Sequence, residues 1–573
     1  MRHDLGDGYV DALESCYGDV GDAIDFVMYF WNHASELVQS RQTRRAGLIT
    51  TNSIRMIRNQ SVVRRALASG CRIVFAIPDH PWPSSTKSAK VRVAMTVLAA
   101  ADDSASPQLL LAKGHDEVAR SRSRTDDIQA VELTAIPCDE INADLAPGIS
   151  IERLRPLKAN DGISNAGMKP YAESLIISEP KSRELFPDDA LRRVHAPPYR
   201  NGQDVARRPR NVHVLDFYGM NESQVAEKCP AAYQYLLDFV HPERSTDRDQ
   251  GARTQWWLFQ RSRPDLRVAL KNLPRYIATV ENSPVRYFVF LEGHICPDQK
   301  LRVIAHDDSF VLGVLSTTAH EVFSRRLGGR QGVANTPVYN TRCLTWFPFP
   351  LGSERQVSKI RMCAEELIAH RQNRLDAHPG LGMTSIYSVL SKLKSGSPLT
   401  KSEKGVHDKA LCSVLLKLHE KLDAAVHDAY GWPAVLSDDE ILANLVALNI
   451  ERQEQERRGT IHWLRPHFQS KPHLAAQGLS STQGAIDDDD DDDHDLAENP
   501  NATGRTSTSG WPAARVDRVR AIGAALESFA APATSEEIAR TFKGAQIKAV
   551  DEILCALATL GQIRLVEGGR FTP

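Results

Sequence analysis

The sequence predicts an α/β fold in several units: half of an α/β sheet, then an α+β domain, a helical region and a C-terminal winged-helix domain. Three observations predict it. Between residues 46 and 99 short apolar runs follow a helical stretch, and the first run, "AGLITTNS", ends in polar Thr51, Asn52 and Ser53, as a buried parallel strand does at an active-site edge. From Glu354 the apolar spacing turns helical, and it stays so to about Gln469. Beyond an acidic tract with seven consecutive aspartates, Asp487 to Asp493, the C-terminal end carries its own pattern of helices and a hairpin.

In chain order, "DAIDFVMYFWNHASELVQ" places Phe26, Phe30, Trp31, Ala34, Leu37 and Val38 on one helical face, which predicts a core-facing helix. Strands come next at 46–51, 72–77 and 91–99, and "PQLLLAKG" and "AVELTAIP" continue in β. Residues 1–149 form the first domain. Residues 150–350 mix short strands such as "VHVLDFYG" and "LRVIAHDD" with helices such as "AYQYLLDFV", an α+β pattern. The helical region spans 351–469. The stretch 470–512 holds too little apolar surface to fold and reads as a disordered acidic linker. In 513–573 a helix covers 515–529, a second starts at Thr534 with Glu537 as its capping-box partner, a third ends at Gly561, and a hairpin turns at Gly568-Gly569.

Composition narrows the class. The 573 residues are 42% hydrophobic and 25% charged, ordinary globular values. No apolar run is long enough to span a membrane. The start "MRHDLGDGYVD" has no secretory pattern, so the expected location is cytoplasmic. Nine cysteines lie singly, with no Cys-x-x-Cys pair, which predicts no zinc site, no disulfide framework and mostly small core residues. The net charge of −2 hides local contrast: Leu191 to Arg210 carries six arginines against one aspartate, a footprint suited to a polyanion.

Several stretches resemble the adenine-specific DNA methyltransferases of the fused type IIL restriction–modification group, across about residues 1–470. "DFVMYFWNHASELVQSRQTRRAGLITTNSI", "IVFAIPDHPW" and "AKVRVAMTV" are similar to its later methyltransferase motifs. "LKANDGISNAGMKPY", "PYRNGQDV", "WWLFQRSRPDLR", "PRYIATVE" and "YNTRCLTWFPFP" are similar to its target recognition domain, and "YGWPAVLSDDEILANLVALNIER" and "GTIHWLRPHF" to its helical region. The resemblance implies a partial class I methyltransferase sheet, S-adenosylmethionine as methyl donor, no metal, and double-stranded DNA as partner. It also implies a strand order of 3-2-1-4-5-7-6, in which the strands at 46–51, 72–77 and 91–99 are the fifth, sixth and seventh. The family's glycine loop and its Asn-Pro-Pro-Tyr or Asn-Pro-Pro-Phe loop precede everything matched here. The first residues are similar to the segment directly after that second loop, so the expectation is a C-terminal portion, inactive alone and completed by an upstream-encoded chain, with the fifth strand left as an open edge. Two alternatives stay open: a non-catalytic DNA-binding specificity protein, and an inactive remnant of a truncated gene.

In "HAPPYRNG" the residue before the prolines is Ala196, whose methyl group cannot accept a hydrogen bond as the family's asparagine does. The segment is therefore expected to be a DNA-facing turn of the recognition domain, and no catalytic residue is identified in the chain. Tyr199, Arg200, Asn201, Arg207, Arg208 and Arg210 are the DNA-binding candidates, with Arg192 and Arg193 in the same cluster; the arginines could contact phosphate or form a solvated basic surface, and Arg200, beside Asn201, could instead read a base edge. Trp82 could stack on a flipped base or simply pack, and Asn52 could line the same pocket or cap the helix after it. Trp256 and Trp257 read as core, and "GGRQG" at Gly328 to Gly332, with no strand before it and no helix after it, as a loop. Between Arg515 and Pro573 eight basic residues face seven acidic ones, which is no footprint for DNA.

Overall fold

The computed structural model describes residues 5–18, 20–21, 24–82, 92–112, 132–247, 250–331, 336–470, 509–512, 515–529 and 531–573. The aspartate run and nearly all of the stretch read as a linker lie outside the described residues. The chain divides into two compact units, one formed by 1–148 with 496–573 and the other by 149–495.

The first unit opens with α1 (Asp7–Cys16) and α2 (Val27–Gln39), then β1 (Arg45–Thr51), α3 (Ile57–Ala68), β2 (Cys71–Pro81), β3 (Arg92–Ala100), β4 (Gln108–Ala112) and β5 (Leu133–Ile136). The sheet order is β1-β3-β2-β4-β5. β3 runs antiparallel between β1 and β2, with Ile49 opposite Met95 and Ile77 opposite the same residue on the other side. β1 and β2 are thus parallel to each other, separated by a reversed strand inserted last. The local order agrees with the fifth, seventh and sixth strands that the resemblance implies, but β2 does not end the sheet as a sixth strand would, because β4 pairs with it in parallel and β5 follows. β1 pairs only with β3 among the described residues, and Ile49 on it is 52% exposed.

The buried stripe of α2 is Met28, Trp31, Asn32, Ser35 and Val38, rotated from the face the apolar residues alone predict. Trp31 decides the rotation, because its indole Nε1 donates to Thr96 Oγ1 of β3 at 3.2 Å and its ring is fully buried. Ser35 lets the helix approach β2 closely enough for Cys71 Sγ to reach its carbonyl. Phe30 is left 57% exposed, its ring edge-on to Phe26 with centroids 5.3 Å apart.

The second unit holds two four-stranded sheets. One contains β6 (Ser164–Ala166), β10 (Arg275–Val280), β11 (Val289–Glu292) and β13 (Leu301–Ile304) in the order β11-β10-β13-β6. The other contains β7 (Ile176–Ser178), β8 (Pro198–Arg200), β9 (Val212–Val214) and β12 (Cys296–Pro297) in the order β12-β8-β9-β7. Trp256 and Trp257 meet edge to face in this unit's core, as expected. α4 (Gly202–Ala206) comes after β8, and the helical region contributes α5 (Glu354–Ala377), α6 (Met383–Lys394), α7 (Cys412–Tyr430) and α8 (Asp438–Arg457). Gly328 ends a helix over Thr318–Leu327, and Arg330–Gln331 then pairs with Thr336–Pro337. That stretch is a helix-to-hairpin turn, while Gly332 lies outside the described residues.

The C-terminal residues return to the first unit as α9 (Arg515–Glu527), β14 (Ala533–Thr534), α10 (Ser535–Ala539), α11 (Ile547–Thr559), β15 (Arg564–Val566) and β16 (Arg570–Thr572). Thr534 caps α10, its Oγ1 accepting from the Glu537 amide at 3.2 Å while its own amide donates to Glu537 Oε2 at 2.8 Å. β15 and β16 pair antiparallel across Gly568 and Gly569, both with positive φ. These elements do not stand apart from the N-terminal helix. Ala12 of α1 shares one apolar cluster with Val519, Ile522, Ile553 and Leu557. Gly8 sits so close to α11 that a Cβ would lie 2.9 Å from the Glu552 carbonyl carbon.

Among the described residues no helix is long and apolar enough to cross a membrane, and no His, Cys, Asp and Glu side chains gather as a metal site would need. All nine cysteines are free; six are buried, and Cys555 is exposed.

Candidate nucleic-acid interface

The stretch read from sequence as a DNA-facing turn is a strand at Pro198–Arg200. β8 lies between β12, which it meets in parallel register with Tyr199 opposite Cys296, and β9, which it meets antiparallel. Being interior to a sheet buries Tyr199, which is 2% exposed and donates its hydroxyl to Asp298 Oδ2. Burial first, and then the Asp298 carboxylate, push the phenol far above its ordinary range. Tyr199 is therefore a buried, hydrogen-bonded part of the sheet and not an exposed turn residue. Asn201 has a local task as well: its Oδ1 accepts from the amides of Gln203 and Asp204 at 3.0 Å, and Asp204 answers by accepting from the Asn201 amide. This capping box starts α4.

The arginines divide by what they touch. Arg200 is half-buried and donates to the Tyr199 carbonyl at 3.0 Å. Arg210 grips Asp204 with both Nε and Nη2 at 2.9 Å. Burial alone would raise the Asp204 carboxyl, but these bonds and two backbone amides outweigh it and hold it below its ordinary value. Arg208 reaches across to the C-terminal end of α5, donating to the carbonyls of Leu375 and His378, a favourable place for a cation at a helix terminus. Arg192 pairs with Asp189 one turn earlier in its own helix. Arg207 and Arg193 are exposed, and neither side chain has a partner among the described residues. The cluster is thus two uncommitted cations beside several that brace the fold while keeping their outer surface in solvent.

In the first unit, parallel β1 and β2 bring Asn52 and Asp79 to the same edge of the sheet. Asn52 opens a short 3-10 turn over Asn52–Arg55, yet its side chain caps nothing. It donates instead to Asp79 Oδ1 at 3.3 Å. Asp79 is buried and also takes the Arg92 guanidinium at the start of β3. Trp82, just past β2, is 44% exposed rather than packed. The structure therefore brings Asn52 to a carboxylate–guanidinium pair at the carboxyl edge of the sheet and leaves an indole open to solvent near the strand end. Asp79 and Arg92 were not singled out in the sequence. The signal was there, as an acid closing the apolar run "RIVFAIPD".

No protein-family model matches the chain, and no curated protein matches it. Among solved structures, the type IIL restriction–modification enzyme MmeI, determined in complex with DNA, superposes with a TM-score of 0.59 at 19% identity, over 78% of this chain and 55% of that one. The fold is restriction–modification-like. The type IIG restriction endonuclease BpuSI aligns with a TM-score of 0.21 at 12% identity, over 66% of this chain and 47% of that one. This chain thus spans about half the length of MmeI, and what it shares with that enzyme is a mixed α/β architecture of several sheets and many helices.

Proposed function

We propose that the chain is the DNA-recognising portion of a site-specific, adenine-N6 DNA methyltransferase of a restriction–modification or phage-defence system. The observation that carries this reading is the order β1-β3-β2, with the reversed strand between two parallel ones. It matches what the resemblance implies for the last three strands of a methyltransferase sheet. The second unit, with its exposed Arg193 and Arg207, is the part that binds duplex DNA. Trp82 and Asn52 line the place where a flipped adenine would lie.

S-adenosylmethionine does not fit the residues described at this edge. A donor site of this class needs a glycine-containing loop after a strand, to let backbone approach the ligand. β1 is followed by Asn52-Ser53-Ile54 and β2 by Trp82, and the buried carboxylate of Asp79 is already engaged by Arg92 and Asn52. The donor and the catalytic loop would therefore come from sequence other than these residues. The same misfit supports a second reading, a DNA-binding specificity protein without catalysis.

Methyl transfer from labelled S-adenosylmethionine to mixed-sequence duplex DNA separates the two. It is measured with the purified chain alone and with a polypeptide carrying the glycine loop and the Asn-Pro-Pro-Tyr/Phe loop. Transfer only in the mixture is expected. Methylation by the chain alone would overturn the assignment of the missing parts, and DNA binding without transfer in either case would favour the specificity protein.

A further inference from the structure

We propose that Tyr171 is a DNA-contacting side chain of the second unit, its ring packing on the duplex and its hydroxyl donating to it. This rests on reading that unit as the duplex-binding part of the chain.

Tyr171 has a φ of 69°, in the left-handed region where glycine or asparagine sits easily and a bulky side chain does not. Its ring is 56% exposed, and its hydroxyl makes no hydrogen bond among the described residues. Strain kept for a ring that is more exposed than buried points to an interaction made elsewhere.

The ring is also held from beneath. Lys169 Nζ lies 5.2 Å from its centroid and the Arg244 guanidinium 5.8 Å. Arg244 is itself fixed, donating to the carbonyls of Pro170 at 2.8 Å and Leu258 at 3.0 Å. The outward part of the ring is what remains to meet a partner.

Neighbouring backbone brings further cations alongside. Lys169 exchanges backbone hydrogen bonds with Arg261, Met168 donates its amide to the Pro297 carbonyl, and Asp298 donates its amide to the Arg200 carbonyl. Segments paired in this way lie about 4.8 Å apart, so Arg261 lies on the segment next to Lys169, and Arg200 on the second segment to its other side, beyond Pro297–Asp298. The close approach depends on Gly167, where any Cβ would fall 2.2 Å from the Asp298 carbonyl oxygen.

Most nearby carboxylates are engaged locally. Glu243 accepts from the amides of Glu173 and Ser174 and from the Ser174 hydroxyl. Asp247 sits beside Arg244, and Asp298 accepts from Tyr199 and from the Lys300 amide. Glu173 is the exposed acid of the loop. A propped aromatic ring with an outward hydroxyl among cations suits the sugar–phosphate backbone of a duplex.

The test compares the full chain with Tyr171→Gly, Tyr171→Asn and Tyr171→Phe, by fluorescence anisotropy with a labelled duplex pool of randomised sequence and by thermal unfolding. Glycine keeps the backbone conformation and removes the ring. Its Tm should hold or rise while its Kd weakens by about tenfold or more, the loss expected when an aromatic contact to nucleic acid is deleted. The Phe variant should fall between wild type and Gly. If Gly binds as wild type does, the inference is overturned and the DNA reading stands; should the Gly variant not fold, Asn decides by the same criterion. If the wild-type chain itself binds no duplex, the DNA reading falls and this inference with it.

Discussion

At the scale of single residues, exposure and partnership separate side chains that look alike in sequence. Arg207 and Arg210 lie three residues apart in one basic run, but only Arg210 is tied to a buried acid. Replacing Arg210 with Ala strands the Asp204 carboxylate, and we predict a loss on the order of 2–3 kcal/mol in denaturant unfolding, below the usual figure for a fully buried pair because Arg210 is partly solvated. Arg207→Ala should leave stability within about 0.5 kcal/mol of wild type while reducing the slope of log affinity against log salt by about one. Equal stability of the two variants would contradict this division. The acid pair also sets a pH dependence. Asp204 lies below its ordinary value in the fold, so its contribution is present above about pH 4 and is lost as pH falls through the folded value. The buried imidazoles of His320 and His419 are lowered by burial to about 3, and each is held neutral against a tyrosine hydroxyl, Tyr339 and Tyr387 respectively. Unfolded histidine takes a proton below about pH 6.5 and these do not, so stability should fall as pH drops from about 6.5 towards 3, by a few kcal/mol on the order expected for such shifts. A flat Tm across that window would exclude it. Little of this was legible in the sequence. Tyr199 reads as a turn residue because the strand that buries it, at Cys296–Pro297, arrives about a hundred positions later, and pairing that distant leaves no local periodicity.

At the scale of elements, legibility tracked length. β1, β2 and β3 are long apolar runs, and their positions could be anticipated, whereas their order was implied only by the family resemblance. The strands of the second unit are two to six residues long, too short for a period of two to declare itself. The C-terminal elements were legible one by one, through the Thr534 capping box and the Gly568-Gly569 turn, but their docking on α1 was not, because a shared core leaves no mark on either segment alone. That docking yields two predictions. Gly8→Ala would ordinarily strengthen a helix by about 1 kcal/mol; here the added methyl meets the α11 backbone, and a loss of about 1–3 kcal/mol is expected instead, the usual cost of overpacking. A chain ending after Gln469 uncovers the apolar side of α1, so residues 5–148 should become more susceptible to limited proteolysis while residues 149–469 keep their protection. Unchanged proteolysis of the N-terminal residues would show that α1 does not depend on this contact. The open edge of β1 is a third element with a consequence. Unpaired strand edges associate unless blocked by charge, so Ile49→Lys should reduce concentration-dependent association in sedimentation velocity, and no change would place any association elsewhere.

At the scale of the whole molecule, the proposed function assigns a different part to each of the two compact units. The first carries the carboxyl edge of a sheet with Asn52, Asp79 and Trp82, and the second carries arginines and an outward tyrosine on a rigid α+β frame. The chain superposes on MmeI over 78% of its length, and the arginines of the second unit are the reason for proposing DNA as its partner. The central claim, sequence-specific recognition of duplex DNA, is tested most directly by selecting bound duplexes from a randomised pool at two salt concentrations and sequencing them. Enrichment of one short motif is predicted, with total binding falling steeply as salt rises. A bound pool indistinguishable from the input, held equally at both salt concentrations, would contradict it.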